Sequence, residues 1–71
     1  MKITELLHKI TQLGYAVSFN EDFEGMLRLD YTEEFEPNFY EHEHIGHPDA
    51  TMEQLNEAVI KSLAGFLGRH E

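Results

Sequence analysis

The chain has 71 residues, 41% of them hydrophobic, no cysteine, and 14 acidic against 5 basic side chains, for a net charge of −9 at pH 7. That length specifies one domain, 1–71, burying about 60–65% of its unfolded surface, with a core worth roughly 3–5 kcal/mol and no disulfide to reinforce it. So acidic a balance excludes a conventional nucleic-acid binder, which needs clustered Lys and Arg for phosphates, and an anionic membrane surface for the same reason; no apolar run approaches the ~20 residues of a membrane span.

The charge is not spread evenly. Residues 1–13 carry +1, residues 50–71 carry −1, and residues 14–49 hold ten acids against Arg28 alone. The ends therefore have the composition of a scaffold and the middle that of a surface. The absence of cysteine fits a reducing, cytoplasmic setting. The apolar residues near the start are spaced rather than continuous, which argues against a secretory leader.

Ile3, Leu6, Leu7, Ile10 and Leu13 recur at helical spacing and predict a helix over 3–13 with one buried stripe. Gly14 follows as its left-handed terminator. From Tyr15 to Asn20 the period becomes two, placing Tyr15, Val17 and Phe19 on an inner face and Ala16, Ser18 and Asn20 on an outer one. Residues Asn20 to Gly25 form a polar turn of hairpin length. A second strand follows, with Leu27, Leu29 and Tyr31 inward and Met26, Arg28, Asp30 and Thr32 outward. Glu33 to Pro37 then break the ladder, since proline cannot sit within it.

A third strand is expected over Asn38–Ile45, where Phe39, Glu41, Glu43 and Ile45 share one face and Tyr40, His42 and His44 the other. Burying two carboxylates costs more than burying hydrogen-bonded neutral imidazoles, so Tyr40, His42 and His44 are expected beneath the helices and Glu41 and Glu43 in solvent. Thr51 and Gln54 read as a capping box opening a last helix. Its stripe is Leu55, Ala58, Val59, Ser62, Leu63, Phe66 and Leu67, with Gly68 as its expected end and a frayed 69–71 beyond. The order is α-β-β-β-α: an α+β two-layer sandwich, a three-stranded antiparallel meander with both helices on one face. The open face is then expected to carry Ala16, Ser18, Met26, Arg28, Asp30, Thr32, Phe39, Glu41 and Glu43.

One segment has the residue types of a metal site. Alternate strand residues project to one side, so His42 and His44 could share a zinc ion, with His47 or Asp49 approaching from the following loop. The spacing of His42, His44 and His47 partly resembles the His-x-His-x-Asp-His motif of metallo-β-lactamase-type hydrolases. Gly46 stands where that motif has aspartate and the chain is too short for the fold, so the family is set aside. The competing readings of the cluster are ordinary packing with turn chemistry at His47-Pro48-Asp49, and a response to pH just below neutrality. No glycine-flanked nucleophile, catalytic cysteine or phosphate loop is present, so an enzyme is not expected.

The element order is similar to that of double-stranded-RNA-binding domains, although the last helix opens on Asp49, Ala50, Thr51, Met52 and Glu53 where those domains are rich in lysine. Residues Glu36 through Leu67 resemble the strand-to-helix end of HicB-type antitoxin domains. Met1, Ile3, Glu5, Leu6, Leu7, Ile10, Tyr15 and Val17 resemble the opening of small acidic phage anti-CRISPR inhibitors of type II nucleases. That last resemblance implies acidic side chains standing in for DNA phosphates at an arginine-lined site.

Three functions are therefore expected to compete. The first is a non-catalytic protein-interaction module of bacterial or phage type, its surface formed by Glu21, Asp22, Glu24, Arg28, Asp30, Glu33, Glu34, Glu36, Glu41 and Glu43. Its partner would be a basic protein or a second copy of the chain. The second is nucleic-acid mimicry by the same carboxylates, in rows about 7 Å apart along a strand. The third is a zinc domain built on His42, His44, His47 and Asp49.

Overall fold

The computed structural model describes residues 2–35 and 40–71. Helix α1 (Ile3–Gln12) leads into strands β1 (Tyr15–Glu21), β2 (Leu27–Glu33) and β3 (Tyr40–Gly46), and helix α2 (Met52–His70) closes the chain. The strands form one antiparallel sheet in the order β1-β2-β3. Helix α1 packs over β1, α2 over β3, and the helices pack on each other on the same side of the sheet. This is the α+β arrangement expected from the periodicities, and none of the described elements lies over the opposite sheet face.

Gly14 ends α1 at φ +94, in the left-handed region that side chains with a Cβ rarely enter. Its carbonyl accepts from the Glu34 N–H at 2.9 Å, which ties the helix end to the far end of β2. Leu6 and Ile10 of α1 and Leu29 and Tyr31 of β2 meet Val59, Leu63, Phe66 and Leu67 of α2, all with 8% exposure or less. The Tyr31 and Phe66 rings stack at 4.1 Å and 6°, and Tyr15 meets Phe66 edge-on at 5.1 Å. The capping box of Thr51 and Gln54 is formed as expected.

Two expectations are corrected. Helix α2 does not stop at Gly68 but continues through Arg69 to His70. Its last turn is held partly from outside the helix: Arg69 pairs with Glu41 of β3 at 2.9 Å, and the His70 ring lies 5.3 Å from Tyr15 of β1 as well as 4.2 Å from Phe66 one turn back in α2. Those anchors, with basic residues at the negative end of the helix dipole, offset the ~1 kcal/mol that glycine costs in a helix. The described part of strand β3 begins at Tyr40; the expected start at Asn38 falls within residues 36–39, which, with Glu36, Pro37 and Phe39, lie outside the described residues.

The second correction is the facing of β3. Glu41 pairs with Tyr31 and Glu43 with Leu29, both of which point beneath the helices, whereas Tyr40, His42 and His44 pair with the outward Thr32, Asp30 and Arg28. The two carboxylates are accommodated without deep burial, because β3 is an edge strand and α2 brings partners to them. Ser62 Oγ donates to Glu43 Oε2 at 2.6 Å, and Arg69 serves Glu41. Ile45, on the same side by alternation, is 8% exposed and anchors the strand in the core. The register then slips at Leu27/Arg28, leaving Ile45 as an unpaired bulge residue.

Ser62 is only 3% exposed and sits 2.7 Å from the hydroxyl of the fully buried Tyr31. Since its one proton goes to Glu43, Tyr31 must donate to it, forming a chain Tyr31→Ser62→Glu43 that ends on a carboxylate. Burial pushes the Tyr31 phenol above its ordinary pKa, with the Ser62 hydrogen bond opposing the shift. Replacing Ser62 with alanine leaves the Tyr31 hydroxyl without its acceptor, and a loss of about 1–3 kcal/mol is expected from urea unfolding at neutral pH.

Candidate functional site

The uncovered sheet face is a grid of three rows set by the strand register. Ala16, Thr32 and Tyr40 form one row, Ser18, Asp30 and His42 the next, and Asn20, Arg28 and His44 the third. Asp30 sits at the centre and is 6% exposed despite lying on the open side. Its Oδ1 takes Arg28 Nε at 3.1 Å and the Tyr40 hydroxyl at 3.1 Å, and its Oδ2 accepts from Asn20 Nδ2. One carboxylate thus fixes a side chain from each strand. Removal from water, and then the hydrogen bond to Asp30, raise the Tyr40 phenol pKa.

Along β3, the Tyr40 and His42 rings are 5.6 Å apart and those of His42 and His44 5.8 Å, an aromatic column with Arg28 beside it. Tyr40 is 55% exposed. His44 Nε2 reaches Asp22 Oδ2 at 3.3 Å, joining the column to the β1–β2 hairpin. Asp22 organises that turn, its Oδ1 accepting the N–H groups of Glu24 at 2.9 Å and Met26 at 3.0 Å. The backbone bonds, Met26 first, together with nearby His44, hold the Asp22 carboxyl below the usual carboxylate range. Gly25, at φ +79, completes the turn, and Phe23 stands fully exposed at its tip. Asp22, Phe23, Glu24, Met26 and His44 line a shallow hollow there of about 320 Å³.

The open face is therefore not the acidic one expected. Of the ten candidate contact residues, Arg28 and Asp30 lie on it, while Glu41 and Glu43 are turned to α2. Met26 belongs to the turn rather than the face. Glu21, Asp22 and Glu24 gather at the hairpin, Glu33 and Glu34 lie at the opposite end of β2, and Glu36 is outside the described residues. Tyr40, His42 and His44, expected beneath the helices, contribute side chains to this face instead, and Asn20 joins them although it is not among the residues expected there. For Asn20 the signal was present: alternation already put it with Ser18, and a turn closed by Asp22 and Met26 sets it opposite Arg28.

The proposed zinc ligands do not assemble. His42 and His44 share the face, but among the described residues no three His, Cys, Asp or Glu side chains are grouped so as to hold a metal ion. No described helix is long and apolar enough to cross a membrane. Fold and surface together define a small α+β domain with one internally braced sheet face that no described element covers. No protein-family model, curated protein or solved structure matches the chain.

Proposed function

We propose that this protein is a non-catalytic interaction module that binds another protein through the bare face of its sheet and the acidic hairpin beside it. The observation that carries this reading is the Asp30 network, which holds Arg28, Asn20 and Tyr40 in place on a face that no described element covers. Side chains already ordered before binding lose less entropy when a partner arrives. Tyrosine and arginine are also the residue types that dominate protein interfaces. The surrounding charge of −9 favours a basic partner and speeds its approach.

The dispersal of the carboxylates supports direct protein recognition over phosphate mimicry. Mimicry needs rows of unengaged acids, whereas Asp22, Asp30, Glu41 and Glu43 are each spent on internal bonds.

The test is affinity capture from source-cell extract with three immobilised chains: wild type, Tyr40→Ala/His42→Ala, and Lys61→Ala as a control on exposed α2. A protein held by wild type and the control but lost from the double variant is expected, with elution by salt. Equal capture by the double variant, or loss in the control instead, would overturn the assignment.

A further inference from the structure

We infer that β1 is a self-pairing edge, through which two copies of this chain join their sheets across a two-fold axis. The alternation of ladder bonds identifies which backbone groups are unused. Glu34 N–H donates to Gly14 at one end of the β1–β2 pair, and Asp22 N–H donates to Met26 at the other. Counting between those bonds, Ala16, Ser18 and Asn20 exchange hydrogen bonds with β2, and Val17, Phe19 and Glu21 turn their N–H and C=O groups to the outer edge. Among the described residues, no backbone bond outside the regular ladders engages these three.

Edge strands are normally defended by lysine, proline or inward charges. β1 has none of these from Tyr15 to Asn20, and its only charge is Glu21 at the end. Charge also selects the occupant. A chain of −9 repels its own copy almost everywhere, and least along an uncharged strand. The other edge, β3, would bring Glu41 and Glu43 towards the same residues of a second copy. β1 is thus the edge on which self-association meets least opposition. It also carries Phe19, 57% exposed.

One register satisfies all of this. Antiparallel pairing centred on Ser18 places Val17 of one copy opposite Phe19 of the other as hydrogen-bonded pairs. It also sets Ser18 against Ser18, and Ala16 against Asn20, on the open face. Each Phe19 gains an aliphatic cross-strand neighbour, a favourable pairing on a sheet. The result is a six-stranded sheet with every helix on one side and two bare faces merged into one. A small cysteine-free chain is also the type that gains stability from association.

Sedimentation equilibrium of the full chain from micromolar to millimolar concentration should show a shift from 8.3 kDa towards twice that mass. Phe19→Lys is expected to weaken association at least tenfold with an unchanged far-UV spectrum. Val17→Pro should do the same, because the N–H it removes is one the β1–β2 ladder does not use. Register is read by oxidising Ser18→Cys, which should give a disulfide-linked dimer since residues of a non-hydrogen-bonded pair lie about 4.5 Å apart between Cα atoms. Ala16→Cys should not cross-link. A wild-type chain that stays at 8.3 kDa at the highest concentration would overturn the inference, as would a dimer indifferent to Phe19→Lys with no Ser18→Cys cross-link.

Discussion

Replacing Phe66 with alanine is expected to leave the protein largely unfolded at 25 °C. Phe66 is fully buried, stacks flat on Tyr31, takes the edge of Tyr15, and has the ring of His70 4.2 Å away. It is therefore where β2, β1 and the last turn of α2 meet. Truncating a buried phenylalanine costs about 3–5 kcal/mol. A core of this size supplies roughly the same amount in total. Loss of the cooperative thermal transition by circular dichroism is the expected readout. Phe66→Leu keeps most of the volume and gives up the ring contacts, so it should fold with a lowered Tm. A Phe66→Ala chain melting within a few degrees of wild type would show that the stability lies elsewhere.

Asp30→Ala should produce the second-largest effect, and on the opposite side of the sheet. It removes the acceptor for Arg28, Tyr40 and Asn20 together, one side chain from each strand. Charge-assisted hydrogen bonds contribute about 1.5–3 kcal/mol each in favourable settings. The three donors can turn to water once released, so a net loss of about 2 kcal/mol is expected from urea unfolding. Arg28→Ala should cost less, because its side chain is 31% exposed and only one bridge is lost. The side-chain amide resonances of Asn20 should move and sharpen in Asp30→Ala, reporting a loosened face. If those resonances stay in place, Asp30 is not what orders the surface.

Much of the scaffold was legible in local patterns. The 3.6-residue spacing of Ile3, Leu6, Leu7 and Ile10, the terminator at Gly14, the alternation through Val17 and Leu29, and the Thr51/Gln54 box each specify their element from nearby residues. These signals rest on backbone geometry and on which side chains water rejects, both properties of short segments. Element order then leaves few ways to stack two helices on three strands.

The facing of β3 could not be decided in that way. Alternation separates Glu41, Glu43 and Ile45 from Tyr40, His42 and His44 but does not say which set is inside, and a general cost of burying carboxylates favours the wrong one. That cost applies to an isolated charge in an apolar interior. Here Ser62 and Arg69, 19 and 28 residues along the chain from the acids they serve, arrive on α2 and make the site polar. Asp30 shows the converse: a residue on the open side becomes buried because neighbouring strands enclose it. Sequence by itself determined the elements, their order and the faces of β1 and β2. Only the tertiary structure decided where the charges of β3 go and which surface is left bare, because partners distant in the chain set the cost of placing a charge.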